Sequence, residues 1–204
     1  MRAFFAVDLP DELAGPIAEA QTAFDGADGL RFVDPERAHV TLKFLGEIDE
    51  SDGGDGGDGD IEAGGDKSGT PSLGSVIAAG ERAIEAADLE SFECAVEEFG
   101  VFPSLDYVSV VWAGIGDGSA KLTALHEALE AETTALGVDP EDHAFIPHIT
   151  LARVNDARGK ESVREAVRDR DPEIGRFEAD SVRLVSSTLT ADGPEYDTVA
   201  SIEL

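Results

Sequence analysis

Short apolar runs of strand length alternate along the chain with segments whose apolar residues recur at helical spacing. The short runs predict strands over residues 2–9, 30–33, 39–45, 92–99, 107–115, 144–153, about 176–188 and 196–203. The helical spacing predicts helices over residues 11–24, 73–88, 119–136 and about 160–169. This mixture of strands and helices indicates an α+β fold.

The pattern breaks between residues 49 and 72, where the sequence reads DESDGGDGGDGDIEAGGDKSGTPS. Gly, Asp and Ser dominate this segment, and it offers almost no apolar surface to bury. We expect a disordered acidic insertion within one domain that spans residues 1–204. The Asp-Gly repeats lack the closing Glu of an EF-hand loop, so calcium binding is not predicted.

The charge is strongly one-sided, with 44 acidic residues against 15 basic ones and a formal net charge of -29. Self-repulsion of this size opposes compaction unless salt screens it, which is typical of a halophile's protein. The acidity therefore does not exclude an anionic substrate. The sequence contains neither a signal peptide nor an apolar run of about 20 residues, and only one cysteine, Cys94. These features predict a cytoplasmic protein that does not bind a membrane.

Two predicted strands carry the same tetrapeptide, although the chain has only four histidines. Residues 39–42 read His-Val-Thr-Leu and residues 148–151 read His-Ile-Thr-Leu. Because side chains alternate between the faces of a strand, each His and Thr share a face and the apolar residues face the core. Each motif stands in one half of the chain, which predicts a duplicated unit with the two motifs as symmetry mates.

The two motifs together suit phosphoryl transfer if their strands lie side by side. One neutral and one protonated histidine can serve as general base and general acid near neutral pH, and Thr hydroxyls can donate to phosphate oxygens. The alternative, a metal site, lacks a third ligand of fitting spacing, so neither a metal nor another cofactor is predicted. The remaining histidines, His126 and His143, are interpreted as surface residues.

Several stretches of the sequence resemble the 2H phosphoesterase superfamily, and most of all its RNA 2′,3′-cyclic phosphodiesterases, also described as 2′–5′ RNA ligases. The stretches that carry the resemblance are MRAFFAVDLP, AHVTLKFLGE, GVFPS (100–104, interpreted as a turn), FIPHITLAR and the closing GPEYDTVASIEL. The likeness covers nearly the whole chain, and the acidic insertion after Gly46 is its main departure. The resemblance implies a bilobal α+β fold with pseudo-twofold symmetry, in which antiparallel sheets surround a central cleft and helices lie outside.

The resemblance also implies hydrolysis of a 2′,3′-cyclic phosphate at an RNA end to a 2′-phosphate, with reversible 2′–5′ ligation as a related reaction. By similarity, His39 is the general acid for O3′ and His148 is the general base for water. Thr41 and Thr150 are expected to hold the non-bridging oxygens. The expected partner is an RNA end, tRNA fragments being one candidate source, and the protein is expected to be a monomer.

Three further residues are substrate-binding candidates. The resemblance assigns Arg153 to the phosphate or terminal base and Phe44 to stacking on the base. Strand alternation places both side chains opposite their histidines, so they need a local twist to reach the cleft. Lys43 has the correct parity and is expected to steer phosphate.

Two other functions remain open at this point. One is a phosphodiesterase for small cyclic nucleotides or 2′–5′-linked oligonucleotides, because the cleft walls that set substrate size cannot be read from the sequence. The other is a module that binds RNA ends without turnover, although both His and both Thr are intact.

Overall fold

The computed structural model describes residues 1–50, 69–170, 172–190 and 193–204, which form an α+β fold. The strands of these described residues are β1 Arg2–Asp8, β2 Leu30–Phe32, β3 His39–Glu47, β4 Phe92–Ser104, β5 Tyr107–Ile115, β6 His148–Val154, β7 Glu173–Ala179, β8 Ser181–Thr190 and β9 Gly193–Glu203. The helices are α1 Ala14–Gln21, α2 Leu73–Ala87, α3 Ser119–Ala135 and α4 Lys160–Asp169. The α+β class predicted from the apolar pattern is confirmed.

Two local predictions were wrong. Residues 100–104 are not a turn, because β4 continues through them and stays paired with β5 as far as Ser104 and Tyr107. The predicted strand at 176–188 is two strands separated by Asp180 alone, and these strands pair with different neighbours. Short-range alternation continues through such a break, so the sequence pattern does not reveal the change of partner.

The described strands form one antiparallel sheet in the order β7-β4-β5-β6-β3-β1-β8-β9, with β2 paired to β6 beside this path. The predicted separate sheets are therefore joined, but β3 and β6 share only the residue pair Val40–Ile149. Along the main path, four strands lie on each side of this junction, and β2 adds a fifth on the side of β6. The arrangement is compatible with a duplicated unit, which stays a prediction.

The sheet must curve strongly. Only Asp180 separates the end of β7 from the start of β8, although the two strands lie on opposite sides of the junction. Since consecutive Cα atoms are about 3.8 Å apart, the two sides approach each other at this point.

The main hydrophobic core lies between the helices and one face of the sheet. Val40 and Leu42 of β3, and Ile149 and Leu151 of β6, are buried in this core together with Leu125 of α3. The alternate positions of the two central strands therefore face away from the core. Among the described residues, no helix is long and apolar enough to cross a membrane.

The predicted disordered insertion falls largely on residues 51–68, outside the described residues, but its two ends are well defined. The Asp49 N–H donates to the Pro71 carbonyl at 2.9 Å, and the Leu73 N–H donates to the Asp49 carbonyl at 2.8 Å. The predicted boundaries of 49 and 72 were therefore too wide, because these residues belong to the hydrogen-bonded framework that precedes α2.

Because the ends of this segment meet, we expect that a short Gly-Ser linker can replace residues 51–68. The free energy of unfolding should change by less than about 1 kcal/mol, since loop-closure entropy depends weakly on loop length. Denaturant unfolding at fixed molar salt measures this change. Asp49→Pro, which removes the N–H that binds Pro71, should destabilise the protein more than the linker does, and the reverse order would contradict the prediction.

Candidate active site

The pairing of Val40 with Ile149 brings the two repeated motifs together on one face of the sheet. In an antiparallel pair, the residue before one partner lies opposite the residue after the other. His39 therefore lies across from Thr150, and His148 lies across from Thr41. The two histidines are diagonal neighbours, a relation that separates Cα atoms by roughly 7–8 Å in a regular sheet. All four side chains are partly exposed, so one small ligand can contact them together.

Both imidazoles are oriented by the same local hydrogen bond. Nδ1 of His39 lies 2.9 Å from the carbonyl oxygen of Arg37, and Nδ1 of His148 lies 2.7 Å from the carbonyl oxygen of Ile146. A carbonyl oxygen only accepts, so Nδ1 must carry a proton in each ring. The neutral form of each histidine then has its lone pair on Nε2, which can accept a proton from a ligand or, once protonated, donate one.

An aromatic cluster on the cleft face of the sheet holds the His39 ring. Phe4 stacks on it with 5.1 Å between ring centroids, and Tyr196 meets it edge-on at 5.4 Å. Phe4 and Tyr196 belong to a small apolar cluster with Ala6 and Val185, separate from the main core. Sequence reasoning missed this role of Phe4, although the FF pair in β1 must place one ring on each face of the strand.

A different set of rings surrounds His148. Phe102 meets it edge-on at 4.9 Å, and Trp112 lies 5.9 Å away by ring centroids. The Trp112 ring covers Gly100 so closely that a Cβ at this position would collide with it. Gly100 is therefore required for the position of Trp112, a link between β4 and β5 that one sequence does not reveal.

A β-bulge at the same position of both motif strands brings two further candidates to the cleft face. In β3, Thr41 pairs with Ala6 and Lys43 with Phe5, so Leu42 is the extra residue. The bulge reverses the alternation, and the next cleft-facing residue is Phe44, which is 62% exposed.

The bulge in β6 follows the same rule. Thr150 pairs with Trp112 and Ala152 with Val111, which leaves Leu151 as the extra residue and turns Arg153 outward. The first six residues of β3 and β6 share the same sequence of burial states. These bulges supply the local twist that Phe44 and Arg153 were predicted to need.

The same bulge removes Lys43 from the cleft, so its predicted role in steering phosphate was wrong. Its side chain is completely buried, and its Nζ lies 2.7 Å from a carboxylate oxygen of Glu130 on α3. Nζ also donates to the Asp139 carbonyl at 2.9 Å. Parity counted from His39 failed because the extra residue shifts every later position by one.

Burial lowers the pKa of both cleft histidines below the ordinary value, because desolvation disfavours the imidazolium form. The positive charge of Arg153 acts on both rings in the same direction. The other charges differ: Asp8 partly restores the pKa of His39, whereas protonation of His39 lowers the pKa of His148 further. The two rings therefore affect each other's titration but have unequal surroundings.

The prediction for the other two histidines was half correct. His143 is exposed beside Asp142, as expected. His126 is buried, stacks on Phe145 with 4.2 Å between ring centroids, and has its Nδ1 2.7 Å from the carbonyl oxygen of Leu42. His126 thus binds the bulged residue of β3, a tertiary contact that helical spacing does not reveal.

In the described part of the chain, no three His, Cys, Asp or Glu side chains form a group that could hold a metal ion. The single cysteine, Cys94, is buried, and burial raises its pKa to about 11.

Comparisons with known proteins agree on one family. The family model described as 2'-5' RNA ligase superfamily matches residues 9–190. An RNA 2',3'-cyclic phosphodiesterase of Aeropyrum pernix is 31% identical over 85% of this chain and 86% of its own. A protein of the same name from Methanocaldococcus jannaschii is 27% identical over 98% of each chain. The crystal structure of TT0787 from Thermus thermophilus aligns with a TM-score of 0.72, 29% identity, and coverage of 100% of this chain and 98% of that one.

The contacts of His126 predict a stability effect. His126→Ala should lower the free energy of unfolding by roughly 1–3 kcal/mol, because the Leu42 carbonyl loses its donor inside the protein. His143→Ala, on the exposed side, should change it by less than about 0.5 kcal/mol. Denaturant unfolding at constant salt measures both, and equal values for the two variants would contradict the structural contrast.

Proposed function

Because the chain belongs to the 2'-5' RNA ligase superfamily, we propose that it hydrolyses 2′,3′-cyclic phosphate ends of RNA to 2′-phosphates. The observation that carries the proposal is the pairing of Val40 with Ile149, which places two imidazoles with matching Nδ1 hydrogen bonds on one face. The curated relatives named as RNA 2',3'-cyclic phosphodiesterases support the substrate class.

The proposed reaction uses one histidine on each side of the phosphorus. Nε2 of His148 takes a proton from water as the water oxygen attacks phosphorus in line. The bond from phosphorus to O3′ breaks, and Nε2 of His39 gives its proton to O3′. The product is a 2′-phosphomonoester with a free 3′-hydroxyl, and the step leaves His148 protonated and His39 neutral at Nε2.

The unequal surroundings of the two rings support this assignment of roles. Asp8 lies across from His39 in the β1–β3 pair and favours its protonated form, as a general acid requires. The charges of Arg153 and of protonated His39 favour the neutral form of His148, as a general base requires.

The remaining cleft residues would bind the substrate. Thr41 and Thr150 stand across from the two histidines, where their hydroxyls can donate to the non-bridging oxygens. Arg153 would add positive charge beside the phosphate, and Phe44 would stack on the terminal base. The same arrangement would support ligation if a 5′-hydroxyl of a second RNA replaced water, since O3′ would leave and a 2′–5′ bond would form.

The direct test is incubation with RNA that ends in a 2′,3′-cyclic phosphate, in molar salt with chelator, followed by product analysis. We expect a 2′-phosphate product. His39→Ala and His148→Ala should each reduce kcat/KM at least about 10²-fold, the usual contribution of a positioned acid or base. In the double variant, kcat/KM should fall by much less than the product of the two single reductions, because the residues act as a unit.

His143→Ala is the control for this test and should retain full activity, because that histidine is exposed and carries no role in the cleft. A 3′-phosphate product would contradict the assignment of the leaving oxygen. Activity that depends on added metal would assign the chemistry to the metal instead of the histidines.

The lowered pKa values predict the position of the pH optimum. The bell-shaped profile of kcat/KM should be centred below about pH 6.5, the ordinary value for histidine. Arg153→Met removes a positive charge that lowers the pKa of both rings, so both values should rise and the profile should move to higher pH. The measurement belongs at the lowest salt that maintains the fold, because salt screens this exposed charge. The exposed Arg2→Met is a control that should leave the profile in place, and movement of the Arg153→Met profile to lower pH would contradict the prediction.

A further inference from the structure

Helix α3 holds the bulge of β3 through two side chains one turn apart. Nδ1 of His126 lies 2.7 Å from the carbonyl oxygen of Leu42, the extra residue of the bulge. Glu130, four residues further along α3, forms an ion pair with Lys43, the residue that follows Leu42 in β3. Residues i and i+4 share one face of a helix, so α3 presents both groups to the same strand segment.

The contacts continue from Lys43 to the backbone of Phe44 and close a loop. The second oxygen of Glu130 accepts the N–H of Glu141 at 2.8 Å, and a carboxylate oxygen of Glu141 accepts the N–H of Phe44 at 3.4 Å. Lys43 also donates to the Asp139 carbonyl at 2.9 Å. The backbone groups on both sides of Lys43, the Leu42 carbonyl and the Phe44 N–H, are therefore tied to α3 and to residues 139–141.

The fold does not require a lysine at this position. Ala152 occupies the corresponding place in β6, directly after the equivalent bulge, and is buried without any such contacts. A completely buried ammonium group carries a desolvation cost, which a small apolar residue avoids. The bulge alone therefore does not explain why β3 carries a buried lysine with charged partners.

The residue that the network holds offers that reason. Phe44 is 62% exposed, and its ring centroid lies 5.9 Å from that of Phe4, which in turn stacks on His39. A flat ligand on Phe44 would thus lie one ring away from the proposed general acid. An exposed ring has few packing contacts to fix its direction, so its orientation depends on the backbone that carries it.

We propose that Lys43, Glu130 and Glu141 are positioning residues that fix Phe44 as a stacking platform for the terminal base of the substrate. The nature of the ligand rests on the proposed function. Stacking on an aromatic ring tolerates every base, so the platform should bind the RNA end with little preference among bases. The network does not contact either histidine of the acid–base pair, so it should affect substrate binding and leave kcat nearly unchanged.

The experiment measures both binding and turnover. The binding probe is 2-aminopurine riboside 2′-monophosphate, whose fluorescence is quenched when the base stacks. Turnover is measured on a dinucleotide that ends in a 2′,3′-cyclic phosphate. Phe44→Ala should abolish the quench and raise KM roughly tenfold, in line with the usual contribution of base stacking.

Glu141→Ala is the central variant, because Glu141 is exposed and its loss should not unfold the protein. It should weaken the quench and raise KM several-fold with kcat changed by less than about twofold, whereas Glu141→Gln, which keeps an acceptor oxygen, should restore both. Lys43→Met should act in the same direction if it folds. When Glu141→Ala is combined with Phe44→Ala, KM should rise no further than in Phe44→Ala alone, because the platform is already absent.

Arg82→Met is the matched control. It breaks an exposed ion pair of 2.7 Å between Arg82 of α2 and Glu132, which lies on α3 like Glu130. It should leave the quench and KM unchanged. Additive losses in the double variant, or a fall in kcat without a change in KM, would overturn the positioning role. A quench in the wild type that survives Phe44→Ala, or no quench at all, would overturn the platform itself. Absence of turnover with normal, Phe44-dependent quenching would instead refute the proposed reaction and leave the platform standing.

Discussion

The candidate site depends on one antiparallel contact, the pairing of Val40 with Ile149 between β3 and β6. This single pair joins the two halves of the sheet and determines that His39 and His148 share one face. It also explains why Val40 and Ile149, which follow the two histidines, are apolar and buried, since they anchor the junction to the core. A shift of either strand by one residue would turn that strand's imidazole into the core and leave the two histidines on opposite faces.

The paired bulges decide what surrounds the two histidines. In each strand the extra residue of the bulge comes directly after the His-x-Thr segment. The side chain two positions after that residue then points outward. The two strands then present different groups at equivalent positions, Phe44 in β3 and Arg153 in β6. The backbones of the two strands are therefore alike, but one side offers an aromatic face and the other a cation, which suits the proposed substrate with its base and its phosphate.

Charge in this protein acts at two scales. The net charge of -29 is spread along the chain, whereas the described cleft combines two desolvated imidazoles with Arg153. Away from the cleft face, Glu130 shows the opposite balance. Burial raises its pKa, but the hydrogen bond from Lys43 and the backbone N–H of Glu141 outweigh burial, so the pKa lies below its usual value. The overall acidity therefore does not predict the chemistry of either place.

The sequence by itself determined the element types, the α+β class and the two motifs, because apolar periodicity and a repeated tetrapeptide are local signals. Tertiary structure alone decided that β3 and β6 are neighbours, that one sheet joins both halves, and that Phe4 and Trp112 flank the histidines. It also buried Lys43, which the local pattern assigned to the cleft, and His126, which the local pattern assigned to the surface. The physical reason is the same in each case. A bulge or a strand partner is determined by contacts between residues far apart in the chain. The alternation of apolar and polar residues along one segment does not reveal these contacts.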